Sequence, residues 1–373
     1  MEGGFALADM IYVTRPYLPD LDELIPLLQE IWSNRILTNQ GPFHQQFEHK
    51  LAEFLEAQHV SVMCNGTVAL NAAIAAAEIE GEVITTPYSF VATTHSIAMA
   101  GLTPVFVDVR PSDFTIDPAR IEAAITARTS AILAVHVYGN PCDVDAIEAI
   151  GKRHKLTVIY DAAHAFGVRY RGKSLLTHGD YSTLSFHATK AFNTFEGGAV
   201  VSAKATGERL VKNYRNFGFV DEVTIPAIGG NTKMSEFNAA LGLLQLSHFE
   251  EVRQQRAAVD ARYRELLTGV EGIDILPIPP GVEPNYTYFP ILVRPEFRMS
   301  RDDIYDYLKA NGFYARRYFY PLLSTLPMYR DLPSAGHNKL PVATDVAEQI
   351  LCLPCYHDLA EADQIRIAGC FRT

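Results

Sequence analysis

The chain has 373 residues, 48% of them hydrophobic and 20% charged, and its 32 Lys and Arg against 43 Asp and Glu give a formal net charge of −11. The length favours two domains with a large core that needs neither disulfides nor a structural metal, and the composition argues against disordered, collagenous or coiled-coil chains. The acidic balance argues against broad attraction to nucleic acid or to an anionic membrane, so a bound phosphate must be held by local groups.

The start, MEGGFALADMIYVTR, places an acid before the first base and has no long apolar run, so no secretory signal is expected. No stretch approaches the ~20 apolar residues that span a bilayer. The five cysteines, an odd number scattered over the chain, fit a reducing compartment. A soluble cytoplasmic protein is expected.

Pro42 opens a helix whose Phe43, Phe47, Leu51, Phe54 and Leu55 follow the spacing of one face. The pattern then alternates: strand at 59–64, Ala-rich helix at 66–78, strand at 83–86, helix at 89–100, strand at 104–107. Asp117-Pro118 reads as a capped helix start. Residues 131–137 read as a strand, 144–154 as a helix and 157–160 as a strand, with short strands at 184–186 and 199–201. Apolar strands without clean alternation, separated by helices, indicate a sheet covered on both faces. Right-handed crossovers bring the strand ends to one edge, where ligands bind. From Met234 the chain turns helical, a Pro-rich connection runs from Pro277 to Pro284, and a strand at 286–293 and a helix at 301–310 follow. The expected division is a large α/β domain over 1–250 and a smaller α+β domain over 251–373.

Several polar residues fall on the predicted strand edge. Asn65-Gly66-Thr67 stands where a strand hands over to a helix, a place with free N–H groups for a phosphate, although Asn-Gly is also a plain turn. Asp161 ends an apolar strand; a buried acid there needs a partner, unless it only caps the next helix. Lys190 lies between an apolar strand and Gly197-Gly198, where a drop in pKa makes a nucleophile, although most lysines are solvated. With Phe90 and Ser185 these are the parts pyridoxal phosphate (PLP) needs: a phosphate anchor, a flat ring, an acid for the pyridine nitrogen and a lysine. No Gly-x-Gly-x-x-Gly follows a strand, and no phosphate loop of the nucleoside-triphosphate kind is expected. The pair Cys352 and Cys355, with His357 nearby, has no second pair to complete a metal site and reads as the end of a buried strand. No metal is expected.

The runs Asn65-Gly66-Thr67-Val-Ala-Leu70, PYSFVATTHS (87–96), PVFVDV (104–109), AVHVYGNPCDVDAI (134–147), YDAAHAFG (160–167), LSFHATKAFNTFEGGAVV (184–201) and the segment from Gly230-Asn231 to Leu246 resemble the DegT–StrS family of PLP-dependent sugar aminotransferases. The resemblance implies a fold-type I aminotransferase with a doubly wound, mixed and mostly parallel sheet. It places Lys190 as the Schiff-base lysine, Asp161 at the pyridine nitrogen, Phe90 stacked on the ring, and Gly66, Thr67 and Ser185 on the phosphate. His164 falls beside the phenolic oxygen, and Asn231 reaches the phosphate of a partner subunit in a homodimer with shared sites. His187 and the cluster of Arg316, Arg317, Tyr318 and Tyr320 are candidate substrate contacts, with a core histidine and a solvated loop as the plainer readings. Relatives often carry Asn-x-Arg-Met where this chain has Asn231-Thr-Lys233-Met, which keeps a positive charge and loses bidentate binding.

The implied reaction takes an amino group from L-glutamate, carries it on pyridoxamine phosphate and delivers it to a dTDP-linked keto sugar. The best match is to members that aminate dTDP-4-keto-6-deoxyglucose. Amination of a 3-keto sugar is the nearest alternative. A PLP-dependent sugar dehydratase, in which His replaces the lysine, and a non-catalytic regulatory protein are disfavoured by the presence of Lys190 and Asp161.

Overall fold

The computed structural model describes residues 10–372. Its centre is a seven-stranded sheet in the order Val60–Met63, Gly198–Ser202, Tyr181–Ser185, Thr157–Asp161, Thr129–Val135, Glu82–Thr85, Thr103–Phe106. The last five run parallel to one another, and Gly198–Ser202 is antiparallel to both of its neighbours. This is the mixed, mostly parallel sheet that the family resemblance implies. Alternate residues serve opposite faces: Ile132, Ala134, Val158 and Tyr160 enter one core, while Ala131, Leu133 and Ile159 enter the other. Both faces are apolar, which is why these strands read as continuous hydrophobic runs.

The Ala-rich helix Gly66–Ala76 lies close on the sheet, burying Ala69, Ala72 and Ala73. Asn65 caps it, accepting from the Val68 N–H at 3.0 Å. The helix Pro42–Phe54 starts at Pro42 as predicted, and its first N–H groups are capped from far away in sequence. Glu236, fully buried, accepts from Phe43 N at 2.8 Å and His44 N at 2.9 Å. Four helices escape the sequence pattern, Leu21–Asn34, Ala205–Arg215, Pro341–Gln349 and Glu361–Gly369. In the first, Pro26 sits inside the helix and Trp32 is 75% exposed, so the apolar stripe is blurred.

Residues Glu236–Leu267 form one 32-residue helix, about 48 Å long at 1.5 Å per residue. The expected boundary at 250/251 lies within it. Ala239, Ala240 and Phe249 pack into the core of the central sheet. Val259, Tyr263 and Leu267 pack into a second core with the antiparallel strands Ile273–Ile275, Phe289–Val293 and Ile350–Leu353. Cys352 stands inside the last of these strands, and all five cysteines are free thiols. Ile11–Tyr12 pairs with Phe313–Tyr314, so the start of the described chain belongs to this second unit. Asp108 ties the units together by capping the helix Pro341–Gln349, accepting from Val342 N at 3.0 Å and Ala343 N at 2.8 Å. Among the described residues, no helix is long and apolar enough to cross a membrane.

Gly198 sets the approach of this framework to the Asn65 turn. A Cβ there would lie 2.6 Å from the Asn65 carbonyl oxygen and 2.8 Å from Gly66 N, both backbone atoms that cannot swing away. Gly198→Ala is therefore expected to cost about 1–3 kcal/mol by overpacking. Urea unfolding of the cofactor-free variant checks this; a midpoint equal to that of the parent would contradict the close approach.

Candidate active site

The carboxyl ends of the parallel strands open into a cavity of about 580 Å³. Gly66, Thr67, Phe90, Asp161, His164, Ser185, His187, Lys190 and Tyr318, residues scattered over 250 positions of sequence, all line it. Arg316 lines an adjoining cavity of about 300 Å³ that shares Ser89, Phe90, Tyr318 and Phe319 with the first. Asn231 lines neither; it is exposed and paired with Asn216 in an isolated bridge.

One end of the cavity is built for an anion. With Val68 N capped by Asn65, the N–H groups of Gly66 and Thr67 have no protein acceptor among the described residues. A side chain at position 66 would lie 2.6 Å from Ser185 Cβ, so only glycine lets the helix start meet the strand that ends at Ser185. The result is two N–H groups, a threonine and a serine at the positive end of a helix, the arrangement that binds phosphate. Phe90, the residue before the helix Val91–Met99, is 55% exposed although it sits in the cavity wall.

The other end holds the titratable groups. Asp161 is buried at the last position of its strand. It accepts from Thr93 Oγ1 at 2.7 Å and from Ala163 N at 3.1 Å. Because Thr93 donates to Asp161, the Ser89 hydroxyl 2.7 Å away donates in turn to Thr93. Burial pushes the Asp161 carboxyl above its ordinary range, and Thr93, Ala163 N–H and the Lys190 charge pull it back down. Lys190 moves the other way. Burial lowers its ammonium to about 8 against the attraction of Asp161. Its Nζ makes no hydrogen bond or ion pair to protein among the described residues. His164 is held far below its ordinary value by burial and then by the Lys190 charge, so it is neutral. Its Nδ1 accepts from Tyr138 N at 3.2 Å, which leaves the proton on Nε2. His187 is exposed, with Nδ1 2.9 Å from Thr189 Oγ1 and Nε2 3.6 Å from Glu196.

Residues 20–372 match the DegT/DnrJ/EryC1/StrS aminotransferase family. The chain belongs to this family. It is 51% identical over 358 residues, 96% of each chain, to the dTDP-4-amino-4,6-dideoxy-D-glucose transaminase of Escherichia coli. It is 50% identical over 94% of its length to the enzyme of the same name from Shigella dysenteriae, of which it covers 95%. Among solved structures, DesI in the presence of its TDP-sugar product superposes with a TM-score of 0.94 at 36% identity, covering 99% of this chain and 94% of that one. The fold is therefore that of the fold-type I aminotransferases, as the resemblance implies.

The walls of the cavity include several residues that sequence reasoning passed over. Thr93 and Ser89 stand in the run 87–96, four apart at the start of a helix, and that spacing was the available signal for a hydroxyl relay to Asp161. Tyr288 and Phe319 close the cavity from the second unit, and no local pattern marks them. One string runs against the expectation that no phosphate loop is present: Gly167-Val-Arg-Tyr-Arg-Gly172-Lys173-Ser174 has that spacing. In the aminotransferase it forms a hairpin, with Arg169 paired to Ser174 and Tyr170 to Lys173, and lacks the helix start that would cradle phosphate. Lys233 donates to Asn216 Oδ1 at 3.3 Å and lies 4.6 Å from the Phe217 ring centre, so it braces the loop before Asn231.

The lowered Lys190 value has a direct readout. In cofactor-free aminotransferase, the rate of acylation of Lys190 by a small reagent should rise with a midpoint near pH 8. Asp161→Asn removes a charge that favours the ammonium, so the midpoint should move further down. Mass spectrometry of the Lys190 peptide follows the reaction; a midpoint near the ordinary lysine value of about 10.4 would refute the desolvation argument.

Proposed function

We propose that the chain is a PLP-dependent aminotransferase that moves the amino group of L-glutamate to carbon 4 of dTDP-4-keto-6-deoxyglucose, giving dTDP-4-amino-4,6-dideoxyglucose. The observation that carries this reading is one cavity holding an anion cradle, a buried acid and a desolvated lysine, in a chain half identical to transaminases of that name. The residues fit the cofactor. Gly66, Thr67 and Ser185 would hold its phosphate, Phe90 would flank its ring, and Asp161 would accept from its pyridine N–H. His164 would offer Nε2–H to its phenolic oxygen, and Lys190 would be the amine that holds it covalently.

When bound, PLP supplies an electron sink for the negative charge that develops at the carbon losing a proton. Asp161 keeps the pyridine nitrogen protonated, and the hydroxyl relay from Ser89 through Thr93 keeps the carboxylate aimed. Lys190, whose proton burial makes easier to remove, would take the proton from the α-carbon of glutamate and later deliver one to carbon 4 of the sugar. Tyr318 and His187 contact the sugar, and Arg316, in the adjoining cavity, suits the diphosphate. The protein works in the cytoplasm, without a metal.

The experiment is incubation with glutamate and a panel of 3-keto and 4-keto dTDP-sugars, with products assigned by NMR. Amination of the 4-keto sugar, and its loss by at least a thousandfold in Lys190→Ala, is expected. Amination of the 3-keto sugar alone would replace the substrate, and no amination of any would overturn the reading.

The working unit is a homodimer with shared sites. The segment before Asn231 exposes Phe217, Val220, Val223, Ile225 and Ile228, the last at 93%, a patch that water does not favour and a second subunit would cover. Asn231, which is exposed and lines neither cavity of its own chain, then completes the phosphate site of its partner. Mixing Lys190→Ala with Asn231→Ala subunits tests this, because one site of each heterodimer then carries both lesions and the other neither. Activity should reappear well above the sum of the two variants; no gain after verified subunit exchange would place Asn231 within its own site or outside both.

A further inference from the structure

Tyr138 lies just beyond the strand Thr129–Val135 and does not line the cavity, yet it touches two of its walls. Its φ of 56° is left-handed, a conformation that aromatic residues seldom adopt without a compensating contact. That conformation aims its peptide N–H at His164 Nδ1, 3.2 Å away. The side chain goes elsewhere. Its hydroxyl donates to the backbone carbonyl of Tyr318, and the hydroxyl of Tyr88 stands 3.0 Å from the same oxygen and 2.5 Å from the Tyr138 hydroxyl. Three oxygens share two protons: each phenol is within donating range of the carbonyl, and between the two hydroxyls either one can donate. Both phenols are buried and come from the first unit, whereas Tyr318 belongs to the second.

The rings repeat the linkage. His164, Tyr138 and Phe319 lie within 3–5° of parallel, with centroids 5.8–6.5 Å apart. Tyr288 sets its edge against both His164, at 5.0 Å, and Tyr318, at 5.3 Å. Asn285 fixes the backbone beneath, donating to the carbonyls of His164 at 2.8 Å and Phe166 at 2.9 Å.

We propose that Tyr138 is a positioning residue that sets the two walls of the site against each other: its N–H holds His164 as the Nε2–H tautomer, and its hydroxyl, with that of Tyr88, clamps the Tyr318–Phe319 segment. The inference rests on the reading of this cavity as a nucleotide-sugar aminotransferase site. It divides the two half-reactions. Glutamate meets Lys190 and Asp161 at the strand ends, which the clamp does not touch. The larger nucleotide sugar also needs the Tyr318–Phe319 wall, which borders both cavities.

Tyr138→Phe keeps the peptide N–H and removes the clamp, and Tyr88→Phe removes only the second donor. In Tyr138→Phe the KM for the dTDP-keto sugar should rise about five- to tenfold, the effect of one buried hydrogen bond, with kcat and the glutamate half-reaction within about twofold of the parent. Tyr88→Phe should move the same KM in the same direction by less. An unchanged sugar KM in both variants would overturn the clamp, as would equal losses in both half-reactions. The backbone half is read independently by ¹⁵N NMR of the cofactor-free parent, with the His164 signals assigned by their loss in His164→Gln. An unprotonated Nδ1 and a protonated Nε2 are expected, and the reverse would overturn that half. Failure of the functional reading would appear in the parent enzyme, which would aminate no dTDP-keto sugar, whereas failure of the clamp appears only in the variants.

Discussion

A carboxylate buried at the carboxyl end of the central strand is the constraint around which this site is arranged. Removing Asp161 from water is unfavourable unless hydrogen bonds or a cation compensate. The chain supplies a hydroxyl from Thr93 and a backbone N–H from Ala163, and a second hydroxyl stands behind the first. The burial that raises Asp161 also lowers Lys190, so acid and base approach each other in affinity for a proton. On the proposed reading, a protonated pyridine nitrogen would give the Asp161 carboxylate a cationic partner. Its positive charge would also offset the attraction of Asp161 for the Lys190 ammonium and so favour the neutral amine, the form that attacks an aldehyde carbon.

Close backbone approach is the second determinant, and it is what turns a strand edge into an anion site. Gly198 pairs across the sheet with both Met63 and Ser185, so three chain segments converge at one point. Gly66 and Gly198 are the positions where any side chain would hold these segments apart. The alanines of the helix Gly66–Ala76 serve the same end on the sheet face, bringing the start of the helix down to the level of Ser185. A helix N-terminus offers its N–H groups only over its first turn, so this closeness decides which atoms a phosphate meets.

Legibility in the sequence follows from how local each signal is. The helices Val144–His154 and Arg301–Ala310 have the boundaries read from periodicity, and Asp117 caps as predicted, because caps and apolar stripes are local. Asp161 and Lys190 could be singled out because each interrupts or follows an apolar strand. The reversed direction of Gly198–Ser202 was not legible, since nothing in five residues encodes which way a strand enters a sheet. The single helix Glu236–Leu267 was divided in the sequence reading because its apolar face shifts from one core to the other along its length. Tyr288, Tyr318 and Phe319 meet His164 only through tertiary packing, so their convergence had no sequence pattern. The phosphate-loop spacing at Gly167–Ser174 fails for a complementary reason: spacing carries meaning only between a strand and a helix, and here it is spent on a hairpin.

On the proposed reading, the division of the walls between two units separates reaction type from substrate choice. Lys190, Asp161, His164 and the Gly66–Thr67 cradle are fixed to strand ends of the first unit, whose geometry is set by the central sheet. Arg316, Tyr318 and Phe319 stand on a segment of the second unit, joined to the first by the long helix, by the Asp108 cap and by the two phenols on the Tyr318 carbonyl. Substitutions in that segment can reshape the far wall while the strand ends keep their registers. A fold can thus retain its chemistry and change its sugar, provided the joints survive. Two of these joints, the Asp108 cap and the paired phenols, are polar contacts, and they are costly to lose because each would leave buried polar groups unpaired. They restrict how far the far wall can shift, and so they limit the range of sugars that one set of strand ends can serve.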